Sequence, residues 1–218
     1  LKEIKEGTAV YTKNGEEDTL DGDAILLATG RGPNTEGFHA ERAGVELTKR
    51  GAVVTDKHLR TTAENIWAAG DVCGNLQFTY ISLDDSRIIL SDMQGDGSRT
   101  TENRGAFAYS VFMEPSFSRA GLSEKEAADK GLNYRVVRMN TDMIPKAKVL
   151  RKTTGMLKAV IDKDSGKIFG AALFCPESYE IINMVKLAMD HDLDYTVLRD
   201  FIYTHPTMSE GLNDLFAL

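Results

Sequence analysis

The sequence predicts an α/β stretch followed by an α+β unit with a largely antiparallel sheet. Two continuous apolar runs that end in glycine, residues 24–30 and 65–71, suit buried strands of a parallel sheet. Around residue 104 the order of elements changes: short strands with hairpin signals follow one another, interrupted by two helical patterns.

The elements follow in chain order. Residues 8–12 alternate between apolar and polar, Asn14-Gly15 is a strong turn signal, and a second apolar run comes at 24–27. This opening, which starts at Leu1 without a methionine, reads as the middle of a domain. The chain is therefore expected to be a fragment whose first strands finish a domain begun upstream. The runs 24–30 and 65–71 both deliver the chain to the carboxyl end of a sheet, the edge at which open α/β sheets bind ligands. Phe78, Ile81, Ile88, Ile89 and Met93 fit one face of a helix loosely, and Gly95-Asp-Gly97 terminates it.

Past residue 104, residues 108–113 read as a strand. Ser123-Glu-Lys-Glu126 is a capping box that opens a short helix closed by Gly131. Strands at 134–139 and 156–162 come next, and Asp164-Ser-Gly166 turns the chain into a strand at 167–175. A longer amphipathic helix spans about 178–191 and carries Ile181, Ile182, Val185, Ala188 and Met189 on one face. There is no internal repeat and no low-complexity linker.

Composition excludes several function classes. The 218 residues suit one large domain or two modest ones, and 42% are hydrophobic, enough to build a core. The net charge is -7 with the charges scattered, so no basic stripe awaits nucleic-acid phosphates or an anionic membrane surface. The longest apolar runs fall far short of the ~20 residues that span a bilayer, and no signal peptide opens the chain. A soluble, cytoplasmic protein is expected. Cys73 and Cys175, roughly a hundred residues apart, match neither a disulfide framework nor a metal-ligand set and read as reduced, partly buried thiols.

Four motifs make the sequence specific: Ala28-Thr-Gly-Arg-Gly-Pro-Asn-Thr35, Leu59-Arg-Thr-Thr62, Ile66-Trp-Ala-Ala-Gly-Asp-Val72 and His205-Pro-Thr-Met-Ser-Glu210. Each is weak alone, but in this order over most of the chain they resemble the class I pyridine nucleotide-disulfide oxidoreductases, the family of dihydrolipoamide dehydrogenase, glutathione reductase and mercuric reductase. Residues 78–87 and Leu212-Asn-Asp-Leu-Phe216 are similar to the bacterial subgroup linked to reactive-chlorine and hypothiocyanous-acid resistance.

The resemblance implies the end of a flavoprotein with two dinucleotide-binding domains. Residues 1–30 would finish the NAD(P) domain, 31–104 would complete the FAD domain, and 105–218 would form an α+β dimerisation domain. The parent would pass hydride from NAD(P)H to FAD and electrons on, through a cysteine pair, to a small-molecule disulfide or other oxidant. It would be an obligate homodimer, in which the histidine of one subunit serves the flavin and cysteines of the other. Neither Gly-x-Gly-x-x-Gly nor Cys-x-x-x-x-Cys occurs here; the family carries both upstream.

Asp71 follows small residues and a glycine at a strand end, where backbone approaches a ligand closely and a carboxylate accepts from a sugar-like hydroxyl. On residues alone, an isolated Gly-Asp pair reads rather as a simple Asx-turn or a helix cap. The resemblance places Asp71 on the ribityl chain of FAD, and Gln77, Phe78 and Thr79 where a helix N-terminus offers backbone N–H groups to the cofactor. Gly30 matches a glycine near the nicotinamide nucleotide, although a strand-end glycine often serves only the turn.

His205 and Glu210 match the family's proton relay. A disulfide reductase must handle a proton whenever a thiolate forms or leaves, and histidine suits that work near neutrality. A carboxylate on the other ring nitrogen fixes the tautomer, and Pro206 sets the chain direction before the acid begins a terminal helix. His39, His58 and His191 have no such context and read as surface residues. Two rivals remain. The chain alone would be a non-catalytic dimerisation module, or a related flavoprotein monooxygenase or NADH dehydrogenase would share Gly-Asp but lack His205-Pro and Glu210. The face from Ile181 to Met189 is expected to be buried against a second copy.

Overall fold

A computed structural model describes all 218 residues. By density of contacts the chain forms two compact units, Leu1–Ser98 and Arg99–Leu218.

The first unit opens on an antiparallel meander of β1 (Glu3–Lys5), β2 (Thr8–Lys13) and β3 (Glu16–Asp21). Asn14 and Gly15 form the two-residue turn with φ of 53° and 90°, the doubly positive conformation that glycine and asparagine tolerate best. The partner of β2 is thus the polar stretch 16–21 and not the apolar run at 24–27.

Neither apolar run forms a strand. Residues 24–30 belong to no helix or strand, and Ile25, Leu26 and Leu27 are 45%, 89% and 71% exposed. A buried parallel strand needs a hydrogen-bonded neighbour on each side, and within this chain nothing flanks the run. In the second run Trp67 makes only an isolated bridge to Arg60, after which the chain coils into a 3-10 turn at Gly70–Cys73.

Helix α1 (Thr79–Gln94) does form, and Gly95 closes it by donating its N–H to the Ser91 carbonyl. Ile88 is fully buried against Leu59 and Cys73. His58 is not a surface residue: only 21% of its side chain is exposed, and its Nδ1 lies 3.8 Å from Asp92. That carboxylate also accepts from Arg60 Nε and Nη2 and from the Trp67 indole N–H. The Arg60 hydrogen bonds hold its pKa below the usual carboxylate range.

The second unit is α+β, as expected. A five-stranded antiparallel sheet runs β4 (Ala108–Val111), β5 (Phe117–Gly121), β8 (Ile168–Phe174), β7 (Met156–Asp162) and β6 (Tyr134–Asn140) in spatial order. Around it lie helices α2 (Glu124–Asp129), α3 (Pro145–Leu150), α4 (Ser178–Asp190), α5 (Thr196–Arg199) and α6 (Gly211–Ala217). Strand β5 and helices α3 and α5 carry no strong sequence signal, because each is short and mixes polar with apolar residues.

Alternation along β7 sends Leu157, Ala159 and Ile161 into the core while Lys158 faces out. The apolar face of α4 meets that core: Ile181, Ile182, Val185 and Ala188 are at most 2% exposed. This corrects the expectation that the face waits for a second copy. It is already buried on its own sheet, where Ile181, Ile182 and Val185 contribute about 1.5–3 kcal/mol each. Tyr179 and Leu187, 49% and 59% exposed, lie on the outer side of α4.

Polar order runs through the same core. Ser116 Oγ donates to the Cys175 carbonyl at 3.1 Å, Ser178 Oγ donates to Ser116 Oγ at 2.8 Å, and Ser118 and Ser110 continue the chain at 2.9 and 2.7 Å. Neither Cys73 nor Cys175 forms a disulfide, both are buried, and burial pushes the Cys175 thiol up to about 12.

The capping box of α2 is present in both halves: Ser123 Oγ accepts from Glu126 N–H, and Glu126 accepts from Ser123 N–H at 2.7 Å. Those bonds from Ser123, reinforced by Arg119, lower the Glu126 carboxyl from 4.5 to about 2. A depressed carboxyl stabilises the fold above its unfolded pKa and loses that contribution as pH falls through the folded value. Glu126→Gln keeps the reach and removes the charge. Its melting temperature should lie below wild type above about pH 5 and converge with it toward about pH 2. A gap that stays constant across the titration would contradict this.

Candidate functional site

The second unit places His205 and Glu210 together at the start of its last helix. The chain leaves α5, passes Tyr203, and reaches His205-Pro206 through a cis peptide bond. Met208 is buried at 1% exposure and anchors the turn, and Leu212, Leu215 and Phe216 of α6 pack into the core beneath it. On this footing His205 Nδ1 meets Glu210 Oε2 at 2.9 Å.

The two side chains differ in exposure. The imidazole is 71% exposed and the carboxylate 14%. A nearly buried carboxylate polarises its partner more strongly than one in bulk water, because less solvent screens it. With Nδ1–H donated to Glu210, Nε2 is the basic nitrogen and faces outward. The arrangement can accept or deliver a proton at Nε2 and hold the resulting positive charge against Glu210.

The other predicted residues lie in the first unit, around the turn that precedes α1. Asp71 sits in the 3-10 turn Gly70–Cys73, its side chain 40% exposed and 3.5 Å from Arg31. The carboxylate accepts no backbone N–H and caps no helix, so neither an Asx-turn nor a cap accounts for it. Phe78 is the residue ahead of α1 and Thr79 its first member; no side chain caps this end. Backbone N–H groups are therefore left at the positive end of a 16-residue helix. Gln77 is half-buried beside them.

These residues fit a dinucleotide cofactor: a half-exposed acid for a polyol hydroxyl and an uncapped helix end for a phosphate. Gly30 has φ +97° in an exposed segment and would meet nothing within 4 Å if it carried a Cβ, so its conformation alone calls for glycine.

The structure adds a residue that sequence reasoning missed. Asp85 of α1 is 3% exposed and accepts the Gly70 N–H at 2.8 Å. Gly70 has φ +73°, and a Cβ there would lie 2.7 Å from Ser82 Oγ. One face of α1 thus clamps the turn that presents Asp71. The only sequence signal was an acid on the apolar side of a helix. No helix of the protein is long and apolar enough to cross a membrane.

Comparison with known proteins bears on both places. The family described as pyridine nucleotide-disulphide oxidoreductase, dimerisation domain, matches residues 107–216, and the pyridine nucleotide-disulphide oxidoreductase family matches residues 1–86. The chain is 52% identical over 196 residues to the probable pyridine nucleotide-disulfide oxidoreductase RclA of Escherichia coli strain K12, covering 90% of this chain and 44% of that protein. It is 35% identical over 207 residues to a mercuric reductase of Staphylococcus aureus, covering 94% of this chain and 38% of the relative. Among solved structures, the HOCl-induced flavoprotein disulfide reductase RclA from Escherichia coli superposes with a TM-score of 0.89 at 48% identity, over 98% of this chain and 49% of that one. LpdA of Mycobacterium tuberculosis shares the fold, with a TM-score of 0.84 at 22% identity over 96% of this chain and 47% of its own. The chain spans less than half the length of these relatives.

Proposed function

Because the chain belongs to the pyridine nucleotide-disulphide oxidoreductase family, we propose that it serves an NAD(P)H-dependent flavoprotein that reduces a small-molecule disulfide or related oxidant. Its residues supply the proton relay, a contact to the ribityl chain of FAD and the dimer interface. The observation that carries this reading is the 2.9 Å contact between an exposed His205 and a nearly buried Glu210.

In this reading residues 1–30 close an NAD(P)-binding domain, 31–104 complete an FAD-binding domain and 105–218 form the interface domain. The enzyme acts in the cytoplasm, with no nucleic-acid or membrane partner. Asp71 binds a ribityl hydroxyl, Asp85 holds the turn beneath it, and the backbone at Gln77, Phe78 and Thr79 faces the cofactor. Gly30 lies near the nicotinamide nucleotide. When bound, FAD supplies the two-electron chemistry that joins NAD(P)H to a disulfide.

The protein's own part is proton management. When a thiolate of the cysteine pair that the family carries upstream attacks the substrate disulfide, a mixed disulfide forms and the other substrate sulfur leaves as a thiolate; His205 Nε2 delivers a proton to it and Glu210 stabilises the imidazolium beforehand. In the reverse direction Nε2 takes a thiol proton and generates the attacking thiolate.

The test is optical. In the flavin-loaded protein that carries this chain, NAD(P)H should bleach the yellow absorption without oxygen, and an added disulfide or oxidant should restore it. If NAD(P)H leaves the spectrum unchanged, the redox reading is wrong and a dimerisation module without chemistry takes its place. The interface assignment has its own check. Sedimentation equilibrium of the protein at micromolar concentration should give twice the chain mass, and a monomer would contradict it.

A further inference from the structure

Thr207 stands three residues ahead of Glu210, the Thr-x-x-Glu spacing of a capping box, in which the acid returns to the backbone N–H of the threonine. Half of that box is present: Glu210 N–H donates to Thr207 Oγ1 at 3.3 Å. The other half has been given up. Glu210 Oε2 is turned to His205, and Oε1 is buried without a partner. A fully formed box exists in the same unit at Ser123 and Glu126, so the departure is local to this site.

The same hydroxyl does more than receive Glu210. Thr207 Oγ1 donates to the Thr204 carbonyl at 2.7 Å and accepts from Ser209 Oγ at 3.1 Å. One side chain thus ties the residue before His205 to the backbone of Glu210, the two ends of the segment on which the pair sits. Without that tie, the carboxylate, with one oxygen unpartnered, has a competing destination in the Thr207 N–H.

We propose that Thr207 is a positioning residue for the His205–Glu210 pair: its hydroxyl fixes the turn so that the carboxylate meets Nδ1 instead of closing the capping box. The imidazole is thereby held as the Nδ1–H tautomer with Nε2 outward. This rests on the proton-relay reading above.

Two measurements test it. Thr207→Val removes the hydroxyl at nearly constant volume and Thr207→Ser restores it; Thr207→Ala replaces the valine if that variant does not fold. In the 218-residue chain, labelled with nitrogen-15 in the rings of its four histidines, His205 is identified by the signal lost in His205→Gln. With the ring neutral, the wild-type and serine proteins should show predominantly the Nδ1–H tautomer. Thr207→Val should show a mixture.

In the flavin-loaded enzyme, Thr207→Val should slow reoxidation about tenfold to a hundredfold and leave reduction by NAD(P)H unchanged. Made on top of Glu210→Gln, it should slow reoxidation no further, because the hydroxyl acts through the carboxylate. An unaltered His205 tautomer, or equal slowing in both backgrounds, would reduce Thr207 to an ordinary helix cap and overturn the proposal. Failure of the relay itself reads out differently, as wild-type reoxidation by His205→Gln.

Discussion

His205→Gln is expected to slow reoxidation of the reduced enzyme by its disulfide or oxidant by about 10²- to 10⁴-fold, the range typical of general acid–base groups, while flavin reduction by NAD(P)H keeps its rate. The separation follows from where the histidine acts. Hydride transfer from nicotinamide to flavin needs no proton at the substrate sulfur, whereas expulsion of a thiolate does. Glutamine retains a hydrogen-bond donor near the position of the ring but neither buffers nor shuttles a proton. Glu210→Gln should cost less, since it removes charge support and leaves the imidazole in place. Rapid mixing resolves both half-reactions through the flavin colour. Wild-type reoxidation in the His205 variant, or a selective loss of flavin reduction, would remove His205 from the relay.

Gly155→Ala is expected to destabilise the second unit by about 3 kcal/mol or more, combining backbone strain with overpacking. Gly155 has φ +134°, and a Cβ there would lie 1.9 Å from the Phe174 carbonyl oxygen and 2.8 Å from Thr141 Oγ1. Neither neighbour gives way easily. Phe174 pairs with Met156 and with Phe117, and the Thr141 hydroxyl donates to the same Phe174 carbonyl at 3.2 Å. A drop in melting temperature on the order of 10 °C should follow. Gly131→Ala is the control, because its φ of +65° is also positive but open space surrounds it, leaving only the conformational cost of about 1 kcal/mol. If both variants melted together, the close approach at Gly155 would carry no energy.

Legibility in the sequence tracked how local each cause was. The capping box at Ser123, the Asn14-Gly15 and Asp164-Ser-Gly166 turns and the strands at 134–140 and 156–162 are written in adjacent residues, and all are present. The runs at 24–30 and 65–71 read as strands in the sequence because an apolar run records a wish for burial, not the presence of a pairing partner. Only neighbouring strands convert one into the other. The face of α4 is ambiguous in the sequence for the same reason: periodicity tells that Ile181 and Val185 will be covered, not by what.

The candidate site divides similarly. His205 and Glu210 are legible because a spacing of five positions and a proline bring them together locally, and the 2.9 Å contact follows. Asp85 was not, since its partner at Gly70 lies 15 positions away and is a backbone group that no side-chain pattern announces. His58 escaped because Asp92, 3.8 Å from it in space, sits at the far end of α1.

The row of serine hydroxyls through the second unit has one allowed direction. Cys175 C=O can only accept, so the Ser116 proton points to it, Ser178 must donate to Ser116, Ser118 to Ser178 and Ser110 to Ser118. Losing one interior hydroxyl strands a donor on one side and an acceptor on the other, each costing about 1–3 kcal/mol where water does not reach, while losing all of them to alanine removes donors and acceptors together and leaves the Cys175 carbonyl its bond from the Ser178 N–H at 3.3 Å. Single replacements are therefore worse than the complete set. Across descendants of a common ancestor the four positions should be inherited together or abandoned together, and a lineage caught with alanine at Ser118 alone should carry a compensating change at Ser178 or Ser110.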